Sequence, residues 1–133
     1  MPQEPLKICL ASSELAPLAK TGGLADVASA LSVFLDRDGH DIRVLIPLYS
    51  SIDTSAMDIT PVQYLQNLPI KMGRHYLHYS IDTAKLPGTE LAIYLLRCPQ
   101  LYNRPGVYTS GGDEHLRFIL LSRAAIEMCQ HMG

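Results

Sequence analysis

Residues 7–47 read "KICLASSELAPLAKTGGLADVASALSVFLDRDGHDIRVLIP", and their changing period decides the fold. Residues 7–12 (KICLAS) are a short apolar run of β-favouring residues, which predicts a strand buried on both faces. Residues 13–23 form a loop carrying Pro17 and the Gly22-Gly23 pair. From Leu24 the period changes: Leu24, Val27, Ala28, Leu31, Phe34 and Leu35 recur at three- and four-residue steps, the spacing of an amphipathic helix. Gly39 suits the position just past a helix end, so the helix should stop near Asp38. DIRVLIP (41–47) then reads as a second buried strand. Strand, loop, helix and strand make a βαβ unit, with parallel strands and a right-handed crossover. The fold class is α/β.

Beyond this unit, TPVQYLQNL (60–68), RHYLHYSID (74–82) and ELAIYLLRC (90–98) each suit a strand, with turns at Pro69 and at Pro87-Gly88. They are expected to add to the sheet, some antiparallel or at an edge. LYNRPGVYTSGGD (101–113) is a loop rich in Gly, Pro, Asn and Tyr. DEHLRFILLSRAAIEMCQHM (113–132) is a helix capped at Asp113 or Ser110, with apolar faces from Leu116, Ile119, Leu120, Ala124, Ile126 and Met128.

The chain has 133 residues, 47% hydrophobic and 18% charged, enough apolar material for one core. Its formal charge of −2 argues against a nucleic-acid-binding domain, which is usually basic. No apolar run reaches the roughly 20 residues that span a bilayer, and the start lacks the layout of a signal peptide, so the expectation is a cytoplasmic protein with no membrane or nucleic-acid partner. Cys9, Cys98 and Cys129 are widely spaced and read as buried free thiols. His75 and His78 lack neighbouring carboxylates or cysteines, so no metal site is expected.

In open α/β sheets ligands bind outside the carboxyl ends of the strands, which is where the 13–23 loop lies. Neither the dinucleotide fingerprint nor the P-loop is present, because here the lysine precedes the glycines. By spacing alone Lys20-Thr21-Gly22-Gly23 fits two readings. It is either a turn into a helix with a solvated lysine, or an anion site. In the second, glycines let a phosphate approach the unpaired amides at the helix start, with Lys20 and the Thr21 hydroxyl beside them.

The stretch SSELAPLAKTGGLADV (12–27), with RVLIPLY (43–49), LYNRPGVY (101–108) and DEHLRFILLSRAAIE (113–127) in the same order, resembles the bacterial glycogen synthases and plant starch synthases. The resemblance implies a Rossmann-like domain with a largely parallel sheet, belonging to the N-terminal half of a two-domain GT-B retaining glycosyltransferase. Such an enzyme moves glucose from ADP-glucose to the non-reducing end of an α-1,4-glucan. It implies no cofactor and no metal, because protein cations and amides stabilise the leaving diphosphate.

By the same resemblance, Lys20, Thr21, Gly22 and Gly23 hold the sugar nucleotide, while Glu14, Asp26 and Tyr108 face the glucose and acceptor. Without it, Glu14 reads as a solvated loop acid and Asp26 as an ordinary first-turn acid at the positive end of a helix. The family pattern has one more residue before the tyrosine (R-P-G-x-P-Y), so RPGVY shifts the Tyr108 ring. Arg117 and Phe118 match the family's R-F pair and read as structural: Phe118 packs and Arg117 pairs with a carboxylate.

Residues 1–133 then correspond to part of the N-terminal domain. The histidine motif and the second domain are missing, so the chain has no complete catalytic set and should be inactive alone. It should also self-associate through the apolar surface that truncation exposes. The alternative is a non-catalytic module that binds glucan or nucleotide.

Overall fold

The computed structural model describes residues 4–104 and 106–132. Its elements run β1 (Lys7–Ala11), α1 (Gly23–Arg37), β2 (Asp41–Pro47), β3 (Thr60–Pro61), a 3-10 turn (Gln63–Leu65), β4 (Leu68–Met72), β5 (His75–Lys85), β6 (Ala92–Arg97), α2 (Pro99–Tyr102) and α3 (Glu114–Met132). The six strands form one mixed sheet in the order β1-β2-β6-β5-β3, with β4 pairing β5 beside this path. β1, β2 and β6 are parallel, in the register Leu10↔Val44↔Ile93. β5 joins them antiparallel and carries β3 and β4 as antiparallel partners.

The βαβ reading of residues 7–47 holds. β2 and β6 are the central strands, and Val44, Leu45, Ile46, Ile93, Leu95 and Leu96 are fully buried, as strands covered on both faces require. α1 ends at Arg37 with Asp38 as its C-cap, and Gly39 follows at φ +93°, a conformation that favours glycine.

The face that α1 buries is shifted from the expected one: Ala28 is buried and Leu35 partly so, but the larger residues of the pattern are not. Ala25, Ala28 and Ser32 lie against the sheet, while Leu24, Val27, Leu31 and Phe34 are exposed, Phe34 by 63%. Small side chains at these steps let the helix settle close to the strands. The Ser32 hydroxyl is satisfied within the helix, donating to the Ala28 carbonyl at 2.6 Å. α3 buries Leu116, Arg117, Leu120, Leu121, Ala124 and Met128, but Ile119 and Ile126 face outward.

Residues 60–68 do not form one strand. Pro61 lacks an N–H, and after it the Gln66 side-chain amide donates to the Val62 and Ile81 carbonyls at 3.1 and 2.9 Å. That amide substitutes for a ladder partner, and Asn67 turns the chain at φ +53°. Pro69 is no turn either; it sits in β4 opposite His78, where an outer strand tolerates a missing donor. The turn falls at Gly73, φ +60°. Of the cysteines, all free, Cys98 is buried and Cys9 half-buried, but Cys129 is exposed, since it follows Met128 off the buried face of α3.

Candidate functional site

Three segments leave the carboxyl ends of the parallel strands and meet. The 12–22 loop follows β1, Tyr49 follows β2, and a strap running from Asn103 to Asp113 follows β6 and α2. Pro105, the proline of RPGVY, lies outside the described residues.

The first loop is packed and hydrogen-bonded. Leu15 and Ala19 exchange both backbone bonds at 2.9 Å, and both side chains are buried. The Ala16 amide donates to the Ala25 carbonyl at 3.1 Å, fastening the loop to α1.

Glu14 is no solvated acid: only 3% of it is exposed. Its Oε1 accepts the Thr21 and Gly22 amides at 2.8 and 3.1 Å. Its Oε2 accepts the Tyr108 hydroxyl at 2.6 Å. That hydroxyl has one proton, so at the Ser13–Tyr108 contact of 2.8 Å the serine hydroxyl is the donor. Tyr49 closes the set by donating its hydroxyl to the Ser13 carbonyl at 2.8 Å. The Tyr108 hydrogen bond, then the Thr21 amide, hold the Glu14 carboxyl below its usual range and outweigh burial.

Gly22 caps α1 in an extended conformation, with no side chain bonded to the helix start. The amides of Gly23, Leu24 and Ala25 therefore have no intrahelical partner. The two glycines of KTGG divide: the Gly22 amide is engaged by Glu14, and the Gly23 amide opens at the positive end of a 15-residue helix. Neither has a positive φ, and a Cβ on either would meet nothing within 4 Å. Neither the backbone nor the packing of this chain requires glycine at these positions.

Lys20 and Asp26 come together at the same helix start. Lys20 Nζ lies 2.9 Å from Oδ1 and 2.8 Å from Oδ2, with both side chains about half exposed. An exposed pair of this kind contributes about 0–1 kcal/mol, so an incoming anion can compete for the ammonium at small cost.

Tyr108 presents a half-exposed ring that tilts against Phe118, with centroids 5.9 Å apart. Its strap is held from three directions. Arg104 forms two bonds of 2.6 Å to the Asp113 carboxylate. The Thr109 amide donates to Glu114 Oε1 at 3.0 Å, and its hydroxyl to Oε2. Arg117, fully buried in α3, donates to the Val107 carbonyl at 2.9 Å and to the Gly106 carbonyl at 3.4 Å. Its guanidinium lies 5.2 and 5.7 Å from the Tyr49 and Tyr102 rings. Arg117 does meet a carboxylate, Glu114 at 3.5 Å, but mainly it anchors the strap. Asp113 precedes the helix as expected and is occupied by Arg104.

The structure thus gathers all seven residues singled out in the sequence. Glu14 joins Thr21, Gly22 and Tyr108 in one hydrogen-bonded cluster, and Lys20, Gly23 and Asp26 share the adjacent helix start. The sequence reading missed Ser13 and Tyr49, whose signal is only their position just past β1 and β2. Among the described residues no three His, Cys, Asp or Glu side chains gather as metal ligands, and no helix is long and apolar enough to cross a membrane.

Comparison with known proteins gives the same direction from three sides. Residues 7–133 match the family model of the starch synthase catalytic domain. Glycogen synthase of Aeromonas salmonicida is 39% identical over 132 residues, covering 96% of this chain. Glycogen synthase 1 of Geobacter sulfurreducens is 38% identical over 133 residues, again 96% of the chain. The chain spans only 26% of the length of each of these relatives. A solved structure, the catalytic domain of starch synthase IV from Arabidopsis thaliana bound to ADP and acarbose, superposes on 98% of the chain with a TM-score of 0.82 at 25% identity. The chain covers 26% of that structure.

Proposed function

The chain belongs to the starch synthase catalytic domain family of glycosyltransferases, and on that premise we propose that it serves the transfer of glucose from ADP-glucose to the non-reducing end of an α-1,4-glucan, with retention. In this reading residues 1–133 are part of the N-terminal domain of a cytoplasmic two-domain enzyme. They supply one wall of its cleft.

The observation that carries the reading is the Gly22-Gly23 pair. Nothing inside the chain needs glycine there, and the open space lets a ligand approach the backbone closely. In this reading the diphosphate occupies that space. It meets the unpaired Gly23 and Leu24 amides, the helix dipole, and Lys20 once the lysine leaves Asp26. As the glucose–phosphate bond breaks, negative charge grows on the diphosphate, and donors already in place stabilise it without reorganising. The Thr21 hydroxyl adds a donor at the loop. Asp26 and the exposed ring of Tyr108 face the sugars, and an aromatic face suits the C–H surface of a pyranose.

Equilibrium dialysis of the 133-residue chain against ADP-glucose tests the donor half of this reading. Binding that falls about 10- to 100-fold in Lys20→Ala supports it, as expected for one charge-assisted contact. Binding indifferent to Lys20→Ala refutes it.

The chain spans 26% of the length of these relatives, and we propose that the remaining wall of the cleft lies in sequence outside these residues, so that the chain alone transfers no glucose. Transfer from ADP-glucose to glycogen by the 133-residue chain, abolished in Lys20→Ala, would contradict this. A binding module without turnover is the second reading that the same coverage allows. Reading the gene downstream of Gly133 distinguishes the two: a frame that continues into the histidine motif favours the enzyme, and a stop codon favours the module.

A further inference from the structure

Glu14 is buried to 3% exposure, yet among the described residues no cation forms an ion pair with it. A buried carboxylate without a counter-ion depends on its hydrogen-bond donors. Glu14 has three, from two segments far apart in sequence. The Thr21 and Gly22 amides come from the loop that opens α1, and the Tyr108 hydroxyl comes from the strap that precedes α3. We propose that Glu14 is a positioning residue through which Tyr108 sets the KTGG loop: it holds the first two amides inward and so turns Lys20 and the Gly23 and Leu24 amides out to the cleft.

The proposal rests on the reading of KTGG as the diphosphate site and assigns that site a control from the acceptor side. The chain of contacts has no gap. Arg117 fixes the carbonyls on either side of Val107, the strap fixes Tyr108, Tyr108 donates to Oε2, and Oε1 of the same carboxylate receives both loop amides. A sugar that engages the Tyr108 hydroxyl competes with Glu14 for its only proton. The carboxylate then rests on Thr21 and Gly22 of the loop, and the loop responds. Sites on opposite sides of the glycosidic bond are coupled by one side chain, with no movement of the sheet between them.

Hydrogen exchange by NMR on the 133-residue chain, without ligand, tests this directly. In Tyr108→Phe, which keeps the ring against Phe118, the Thr21 and Gly22 amides should exchange severalfold faster than in the wild type, while the sheet amides of Val44 and Leu95 stay protected. Glu14→Ala should raise the same two rates about tenfold or more, and Glu14→Gln, which keeps an acceptor oxygen for them, should restore most of the protection. The sheet amides report folding in each variant. Because the Ser13 hydroxyl loses its Tyr108 partner in this variant, Tyr108→Phe is also measured with Ser13→Ala, which removes any substitute donor. Unchanged Thr21 and Gly22 exchange in that double variant overturns the proposal. Addition of ADP-glucose to the wild type is scored separately, since failure to shift Gly23 refutes the diphosphate reading and leaves the Tyr108–Glu14 coupling measured on its own.

Discussion

The Tyr108 hydroxyl donates to Glu14 Oε2 at 2.6 Å across 94 residues of sequence. This contact ties the strap after β6 to the loop after β1, at the carboxyl ends of two strands that lie one strand apart in the sheet. The candidate site is the product of that closure. Acidic, aromatic and glycine-rich pieces, each ordinary alone, are brought to the same end of a parallel sheet core.

The glycines can be separated from the fold by substitution. Gly22→Ala and Gly23→Ala each place a methyl group in open space, so unfolding free energy should change by less than about 1 kcal/mol, and at Gly23, in a helix, the change should be stabilising. ADP-glucose affinity should nevertheless fall about tenfold or more, equal to about 1.4 kcal/mol. Denaturant unfolding and dialysis on the same samples check both halves. Unaltered affinity would return KTGG to a helix-entry turn.

Arg117 should behave as a structural anchor. Arg117→Leu removes two donors from strap carbonyls and a cation from between two tyrosine rings, leaving polar groups buried without partners. A loss of roughly 3 kcal/mol is expected, with the melting temperature down by roughly 10 °C. Calorimetry on the variant measures it, and a cost below about 1 kcal/mol would show that the strap is held by Arg104 and Thr109 instead.

The strap should resist acid. Two hydrogen bonds from Arg104 lower the Asp113 carboxyl from 3.8 to about 2. A carboxyl depressed on folding contributes stability that is complete above its unfolded value and is lost as pH falls through the folded one. Docking of the strap, followed by the Thr109 amide resonance, should therefore persist at pH 3.5 and fail toward pH 2. Glu14, lowered chiefly by Tyr108, and Glu114, lowered by Thr109 against the effect of burial, act in the same direction. Arg104→Gln should move the loss upward toward pH 4, and an unmoved profile would remove the Arg104–Asp113 pair from the account.

Much of this was legible locally. The βαβ unit, the end of α1 near Asp38 and the KTGG loop at a helix start follow from period and punctuation over a few residues. What escaped depends on distant partners. The large apolar residues of α1 read as its buried face together with Ala28, yet Ala25 and Ser32 join Ala28 there instead, because close packing on the sheet favours the smaller stripe. Residues 60–68 have strand composition, but Gln66 competes as a side-chain partner for carbonyls at Val62 and Ile81. Glu14 looks like a loop acid until Tyr108 arrives. Arg117 reads as structural through a carboxylate, but its burial beside Tyr49 and Tyr102 and its hold on the strap need the closed fold.

The exposed stripe Leu24, Val27, Leu31 and Phe34 carries its own expectation. An apolar patch of this kind favours contact between molecules, so the 133-residue chain should self-associate with rising concentration. Leu31→Lys with Phe34→Glu should abolish that without touching the buried residues. Light scattering that shows a monomer at millimolar wild-type concentration would contradict it.

On the reading proposed above, the KTGG loop and the start of α1 hold a sugar diphosphate. An NMR titration of the 133-residue chain with ADP-glucose tests it most directly. Saturable shifts centred on the Gly23 and Leu24 amides, weakened in Lys20→Ala, are the predicted result. Absence of any shift at these amides at millimolar ADP-glucose, in a chain whose Val44 and Leu95 amides show an intact sheet, would contradict it.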